Sequence, residues 1–457
     1  MTDQISVKKI ILLTSAIFLV AFLFYGFLYL RYSNDYFKID HNILLNFMLI
    51  NGINTVVFST SILFYKKYLN PVSLFCLFVF YYAFSLLPLS PNFSEYSKSS
   101  NTVIIVTIIS FISGSIFAFY NKESLYNFLL FNNFIKKIKK IKSQINSRLI
   151  LYVLFYSSII VFFIEIYLIG YIPVFKMFSK FVYEDANDHM INFLHYFVVL
   201  SSVLPAFSYI LYKNNVISKR EYFLIHAISF FINFNFFSRQ FLLLYMISLY
   251  FAYLFHNKSS FKFGITVISL MIMMFLTVGF LRFMQDNTYK TENQDKKQIE
   301  YLNNISNSKY KLSVLENYLT IYSSNRFYEL NKMINEKDST NYYGYGMYTF
   351  KPIVSVLFLN RLNLVDYDSK FNIPNAVPTF VVDAYLDFGI TGSILINFIY
   401  GFISTIFFYS FWKKKKSGII NFSIIVFCIA MMTFMNYFNT FFVWFVLIIN
   451  NLLIKDE

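Results

Sequence analysis

The chain alternates between long apolar runs and short polar connections along almost its whole length. Most of the apolar runs approach the roughly 20 residues that a helix needs to cross a bilayer. Such runs predict membrane-spanning helices, because a helix satisfies its own backbone hydrogen bonds in hydrocarbon. The predicted spans lie near 10–30, 43–65, 71–89, 102–120, 149–171, 191–212, 222–237, 240–256, 263–281, 380–412, 418–438 and 439–454. The pattern therefore predicts an all-α polytopic membrane protein with about 12 transmembrane helices.

Two polar segments interrupt this pattern and suggest how the chain is divided. The basic stretch 131–148 alternates Phe and Ile with Lys, which favours a position along an anionic membrane surface. The longer segment 282–376 has apolar residues at three- and four-residue intervals in its middle, which predicts short helices in a large loop. We therefore expect spans one to nine in residues 1–281, a large external loop in 282–376, and the last three spans in 377–457.

The charge distribution orients the chain in the membrane. Only 14% of the residues are charged while 57% are hydrophobic, which is a membrane composition. The net charge is +15, and most loop lysines and arginines fall on one side if the N-terminus is cytoplasmic. This asymmetry follows the positive-inside rule, so the basic excess sets topology and implies no nucleic-acid partner. The first span follows Lys8 and Lys9 and lacks a small-residue cleavage site, so we expect a retained signal anchor.

Ionisable residues at membrane depth are costly and are therefore candidates for function. Glu165 lies inside the fifth predicted span, where it could act in chemistry or bond a neighbouring helix. Arg239 lies at a tight external turn, where its donors suit a phosphate or diphosphate. Three further arginines are predicted on the external side, and each could instead anchor a helix to lipid headgroups: Arg282, Arg326 and Arg361.

The segment 378–388 places polar side chains where an apolar run begins. If it is helical, Thr379, Asp383 and Asp387 are spaced by four and share one face. Such a stripe could hold a sugar hydroxyl and accept its proton, or it could pair with the arginines. The alternative is that both carboxylates simply complement the positive end of the helix dipole. Asp188 and His189, at the end of an external loop, are weaker candidates for proton transfer.

The segment 341–353 is rich in aromatic residues and glycine. Tyr343, Tyr345 and Tyr348 offer ring faces and hydroxyls that suit sugar recognition. An aromatic belt at the membrane interface would have the same composition. The cysteines Cys76 and Cys428 lie in apolar runs and give no disulfide framework and no metal-ligand spacing.

Several of these stretches together resemble a known family. GYIPVF at 170–175, SRQFLL at 238–243, YYGYGMYTFKPI and PTFVVDAYLDFGITG at 378–392 are similar to the Wzy-type oligosaccharide repeat unit polymerases. The resemblance implies a GT-C-like membrane glycosyltransferase of the bacterial inner membrane, with its active site on the external face. It implies a donor and an acceptor that are oligosaccharides linked to undecaprenyl diphosphate, together with membrane lipids as surroundings. It implies no cofactor and no obligatory metal, although DYD at 366–368 has the form of a metal-binding motif.

The resemblance also gives the candidate residues roles. Arg239, Arg282, Arg326 and Arg361 would bind the diphosphates, and Tyr343, Tyr345, Tyr348 and Thr379 would contact sugar. Asp387 is the first candidate for the base that deprotonates the acceptor hydroxyl, followed by Asp383 and Glu165. Two other functions remain open, a flippase for lipid-linked oligosaccharide and an O-antigen ligase. A polysaccharide chain-length regulator is a candidate partner of a polymerase.

Overall fold

A computed structural model describes residues 41–86, 96–122, 146–176, 189–257 except 192 and 236–237, parts of 263–278, 325–357 except 341–342, and 379–454 except 414. Every regular element among these residues is helical. The α-helices are α1 His41–Tyr65, α2 Pro71–Ser85, α3 Lys98–Tyr120, α4 Ser147–Ile169, α5 His195–Leu200, α6 Leu204–Lys213, α7 Lys219–Asn235, α8 Arg239–His256, α9 Asn325–Thr340, α10 Lys351–Val356, α11 Val381–Trp412, α12 Lys416–Met431 and α13 Phe441–Leu453.

The helices follow the predicted spans closely within the described residues. Four segments are long and apolar enough to cross a membrane, namely Leu45–Tyr65, Lys98–Tyr120, Ser147–Lys176 and Val381–Trp412. Pro71–Ser85, Lys416–Met431 and Phe441–Asn451 are shorter apolar helices. Helices therefore stand where the hydropathy pattern predicts them, whereas the total of twelve spans and the GT-C-like fold stay predictions. The predicted span 10–30 lies outside the described residues.

The predicted span 191–212 is the place where the helical pattern differs most. It forms two short helices, α5 and α6, separated by turn residues 201–203. Pro205 stands in the first turn of α6, where its missing N–H removes a donor that would continue a single helix. An apolar run of span length therefore folds as a broken helix.

Local sequence signals set several helix starts. Asn70 accepts a hydrogen bond from the Ser73 amide while the Ser73 hydroxyl accepts one from the Asn70 amide, which forms a capping box at α2. Ser97 caps α3, and Asn146 caps α4 through the amides of Arg148 and Leu149. These side chains satisfy amides that the first helical turn leaves without partners.

The helix α11 contains a backbone irregularity near its start. Gly389 has φ of 63° and ψ of −150°, a conformation that is readily available only to glycine. The residue follows Asp387 by two positions. The sequence GITG thus allows a change of direction directly after the second carboxylate.

The chain divides into two compact units. One consists of Met1–Asn121, Lys296–Ile406 and Cys428–Thr440, and it includes α1 to α3, α9, α10 and most of α11. The other consists of Lys122–Asp295, Phe407–Phe427 and Phe441–Glu457, and it includes α4 to α8, most of α12, and α13. Each unit has its own buried core: Phe75, Phe78, Phe111 and Phe380 cluster in the first, and Phe251, Phe411 and Phe422 in the second.

Candidate functional site

Asp387 lies in the first unit, where it holds the aromatic segment 343–350. Its carboxylate accepts N–H hydrogen bonds from Tyr348 at 3.2 Å and from Thr349 at 2.6 Å. The side chain is buried among these partners. The carboxylate therefore fixes the backbone of the aromatic segment against α11.

Asp383 lies one turn earlier and binds a different segment. It accepts hydrogen bonds from the side-chain amides of Asn436 at 2.9 Å and Asn439 at 2.6 Å. Asn439 also donates to the carbonyl oxygen of Tyr348 at 2.8 Å. The two carboxylates thus bond different segments, and Asn439 joins those segments to each other, so that three segments meet there.

Thr379 does not belong to the helical stripe. The helix α11 begins at Val381, so Thr379 precedes it, and its side chain is only 1% exposed. The condition that 378–388 is helical therefore holds only from Val381 onward, and residues 379–380 precede the helix, where the Phe380 amide donates to the Met432 carbonyl.

The three tyrosines of the aromatic segment differ in accessibility. Tyr345 is 81% exposed and Tyr343 is 42% exposed, whereas Tyr348 is 8% exposed. The rings of Tyr343 and Tyr345 lie 6.3 Å apart at an interplanar angle of 40°. Tyr343 and Tyr345 therefore present ring surface to the surroundings, and Tyr348 packs inward.

Lys337 of α9 lies between the aromatic rings of Tyr343 and Tyr385. Its Nζ atom is 4.3 Å from the centroid of Tyr343 and 4.5 Å from that of Tyr385. The residue is only 4% exposed, and burial lowers the pKa of its ammonium. Within the described residues no carboxylate lies within salt-bridge distance of it. The neighbouring Asp338 accepts hydrogen bonds from Ser99 at 2.6 Å and from Tyr385 at 2.5 Å.

Apart from Arg239, only one of the predicted arginines lies among the described residues. Arg326 lies on α9 and is half-buried. Arg361 lies outside the described residues, as does Arg282. Whether the four predicted arginines converge therefore stays a prediction.

The second unit contains a buried carboxylate paired with a histidine. Glu165 of α4 lies with both carboxylate oxygens 3.0 Å from Nδ1 of His195, the first residue of α5. Glu165 also accepts the backbone N–H of Ile191 at 3.4 Å. Its side chain is 1% exposed and that of His195 is 13% exposed. The pair joins two elements that are 30 residues apart in sequence.

Arg239 lies in the same unit, at the start of α8. Ser238 precedes it in extended conformation, yet its side chain makes no capping hydrogen bond to the helix. Among the described residues the buried Ser238 hydroxyl has no hydrogen-bond partner. The first turn of α8 thus offers amides and a hydroxyl beside a guanidinium, which is a combination suited to an anion.

The first turn of α8 also adjoins the acid–histidine pair. Phe241, two residues after Arg239, has its ring centroid 6.2 Å from that of His195. Leu242 packs with Tyr171 and Val174, which follow α4. Glu165, His195 and the start of α8 therefore belong to one end of the second unit.

Comparison with known families assigns the chain. The sequence profile of the family described as "Putative O-antigen polymerase" matches residues 67–319. The chain belongs to the O-antigen polymerase family. No curated protein and no solved structure matches it.

The region matched by the O-antigen polymerase family determines which candidates lie within it. Glu165, His195, Arg239 and Arg282 fall inside 67–319. The candidates from Arg326 onward, which include Lys337, Tyr343, Asp383 and Asp387, lie beyond it. The polymerase family match therefore rests on the part of the chain that contains the acid–histidine pair and the start of α8.

Two residues of this polymerase-family chain escaped sequence reasoning. His195 is the one histidine in the apolar run 191–212, and Glu165 is the one carboxylate in the fifth predicted span, which was a signal that it has a partner. Lys337 shares a polar stretch with Lys332, and no sequence pattern distinguishes the one that is buried between rings.

Proposed function

We propose that this chain polymerises oligosaccharide repeat units linked to undecaprenyl diphosphate into O-antigen or a related surface polysaccharide. It acts as a glycosyltransferase that moves the growing glycan onto an incoming lipid-linked unit, on the external face of the bacterial inner membrane. The match to the O-antigen polymerase family carries this proposal. The apolar helices are consistent with a substrate that reaches the site through the bilayer.

Arg239 and the start of α8 bind the diphosphate in this proposal. A guanidinium gives two parallel hydrogen bonds to phosphate oxygens, and the amides of a helix N-terminus add further donors. These groups stabilise the negative charge that develops on the leaving diphosphate. The same role for Arg282, Arg326 and Arg361 stays a prediction.

The aromatic segment supplies the sugar-binding surface. Tyr343 and Tyr345 are the exposed rings, and Lys337 lies directly against Tyr343. Asp387 holds this segment directly and Asp383 holds it through Asn439, so we propose that both position it. Asp387 as the base stays a prediction from sequence, and its two backbone amide bonds favour the positioning role.

A complementation experiment in the source bacterium tests the function. The gene is deleted, and wild type, Arg239→Ala, Arg239→Lys and the control Arg220→Ala are expressed at matched levels. Arg220 is an exposed arginine of α7 and serves as a matched loss of charge. We expect the wild type and Arg220→Ala to restore the full ladder of polysaccharide lengths. Arg239→Ala should reduce chain elongation by roughly 10–100-fold, the effect of losing a charge-assisted hydrogen bond. Arg239→Lys should restore it only in part, because an ammonium is a point charge without a planar fork.

The deletion strain alone separates the three candidate functions. A lost polymerase leaves one repeat unit attached to the lipid A core. A lost ligase leaves polymer that is not attached to the core, and a lost flippase leaves single units on the inner face of the membrane. Either of the last two outcomes would refute the proposal. A chain-length regulator stays a predicted partner, which would alter the ladder without abolishing elongation.

A further inference from the structure

The Glu165–His195 pair stands out among the polar groups of the second unit. Burial of a carboxylate in an apolar helix is costly, and a polar partner is required to offset that cost. Here the partner is an imidazole, whose Nδ1 lies 3.0 Å from both carboxylate oxygens. A carboxylate can only accept a hydrogen bond, so Nδ1 carries the proton that it donates to Glu165.

This contact fixes the chemistry of the other ring nitrogen. A neutral imidazole protonated on Nδ1 has its lone pair on Nε2, which makes Nε2 the basic atom. A proton taken up at Nε2 gives an imidazolium that the adjacent carboxylate stabilises. The arrangement of a carboxylate, an imidazole and a hydroxyl substrate is the one used for general base catalysis in other enzymes.

The position of the pair connects it with the proposed leaving group. Phe241, whose ring adjoins His195, belongs to the helical turn that Arg239 begins. In the proposed function that turn binds the diphosphate of the donor. A base at the same end of the unit as that turn would be placed on the side of the donor where the acceptor hydroxyl must attack the anomeric carbon.

We propose that His195 is the general base of glycan transfer and that Glu165 is its positioning residue, an inference that rests on the proposed function. The acceptor hydroxyl oxygen attacks the anomeric carbon of the donor, and a new carbon–oxygen bond forms there. The bond from the anomeric carbon to the diphosphate oxygen breaks, and its electron pair leaves with undecaprenyl diphosphate. The hydroxyl proton passes to Nε2 of His195 and is later released to water. Glu165 therefore keeps its negative charge throughout and never receives the substrate proton.

Purified protein in lipid vesicles tests this assignment. The substrate is the lipid-linked single repeat unit that the deletion strain accumulates, and the length of the product is followed over time. The variants are His195→Ala, Glu165→Gln and the control His226→Gln. His226 is a histidine of the same unit that contacts the hydroxyl of Tyr245 and, among the described residues, no carboxylate.

The expected result is a loss of kcat with little change in KM. His195→Ala should lower kcat by about 100-fold or more, which is the usual contribution of a general base. Glu165→Gln should lower kcat by about 10-fold or more and keep KM within about threefold, because Gln does not stabilise the imidazolium. His226→Gln should keep kcat within about threefold. Thermal unfolding of each variant in detergent shows whether it is folded.

Chemical rescue separates a base from a structural ring. Added imidazole should restore part of the activity of His195→Ala, whereas pyrazole, a ring of the same size and much weaker basicity, should not. Equal rescue by both rings, or a folded His195→Ala that retains most of its kcat, would overturn the assignment. If the wild type itself fails to lengthen the lipid-linked unit, the proposed function fails, and that outcome is distinct from an active wild type with an active His195→Ala.

Discussion

Gly114 of α3 faces the main-chain carbonyl of Phe398 on α11 so closely that a Cβ atom would stand 2.0 Å from the oxygen. The contact is reciprocal, because a Cβ atom on Gly401 of α11 would stand 2.0 Å from the carbonyl oxygen of Phe111 on α3. Small residues let helix backbones approach in membranes, where packing rather than hydrophobicity drives association. Ser115 and Thr405 add a hydrogen bond at 2.6 Å between the same two helices.

Substitution of Gly114 by alanine should therefore separate the two helices. The new methyl group meets main-chain atoms, which have no rotamer to move into, so we expect a loss of about 1–3 kcal/mol in stability. The melting temperature in detergent measures this loss. Gly52→Ala on α1 is the matched control, because no atom of the described residues lies within 4 Å of its Cβ position. Equal melting temperatures for both variants would contradict the close packing.

The carboxylate of Asp387 should control the order of the aromatic segment. Replacement by alanine leaves the buried amides of Tyr348 and Thr349 without an acceptor, at a cost of about 1–3 kcal/mol each. We expect faster hydrogen–deuterium exchange in residues 343–350 of Asp387→Ala, together with reduced elongation. Glu336→Gln on α9, a residue outside this contact, should leave both unchanged.

The variant Asp387→Asn distinguishes positioning from base catalysis at this site. Its amide oxygen still accepts one backbone N–H, so a positioning residue should lose only part of its effect in both measurements. A complete loss of elongation with unchanged exchange in 343–350 would instead identify Asp387 as the base that the sequence suggests.

Lys337 should show opposite effects on stability and on activity. Burial lowers the pKa of Lys337, which means that its charged form is less favourable in the protein than in water. Replacement by Met removes this penalty together with the two ring contacts, so the melting temperature near neutral pH should stay equal or rise. If the charge serves the sugar-binding surface beside Tyr343, elongation should fall by several-fold in Lys337→Met.

The stability difference between the wild type and Lys337→Met should change with pH in one direction. The folded-state pKa of Lys337 lies below the value of about 10.4 in an unfolded chain. At a pH between these two pKa values the folded state therefore binds fewer protons than the unfolded state. The stability of the wild type, measured relative to that of Lys337→Met, should therefore rise as the pH increases toward about 10.4. A growing advantage of Lys337→Met at high pH would contradict the effect of burial.

Glu221 at the start of α7 should contribute stability that is lost in acid. The hydroxyl of Tyr152 and the Ser218 amide, followed by the Arg148 guanidinium, donate hydrogen bonds to its carboxylate and lower the pKa of Glu221 to about 2. An unfolded glutamate has a pKa of about 4.3. The depressed value therefore stabilises the fold above about pH 4.3, and the contribution disappears as the pH falls toward 2.

The variant Glu221→Gln gives the measurement. Its melting temperature should be lower than that of the wild type at pH 7, and the gap should narrow as the pH is lowered from about 5 to 3. A gap that stays constant over this range would show that the charge of Glu221 makes no contribution.

Sequence patterns predicted the helices far better than the contacts between them. Hydropathy alone predicted the helix that carries Glu165 and the one that carries Asp383, because the length of an apolar run reflects the thickness of the bilayer. The spacing of Asp383 and Asp387 placed both on one face of a helix but gave no sign that they bond different segments, Asp387 the aromatic segment and Asp383 the asparagines Asn436 and Asn439. The break before Pro205 was missed, since an apolar run has the same composition whether its helix is continuous or interrupted.

The partners of the candidate residues could not be predicted from the sequence, for a physical reason. Asn439 reaches Asp383 across 56 residues of chain, and His195 reaches Glu165 across 30. Such pairs depend on how helices pack, which a single sequence does not encode in any local period. Accessibility was equally hidden, so that Tyr345 and Tyr348, three residues apart, looked alike although one is exposed and the other buried.

The pairing of Glu165 with His195 also constrains how the protein is made. Glu165 precedes its partner in the chain, so α4 reaches the membrane ahead of α5, which carries the imidazole that donates a hydrogen bond to its carboxylate. Until then the isolated acid opposes insertion, as an Asp at the centre of a span does by about 2.5–3.5 kcal/mol on insertion scales, and the apolar residues around it must outweigh that cost. When α5 follows, His195 bonds Glu165 and holds α4 in place. The order in which the two helices are made is therefore part of how the second unit assembles.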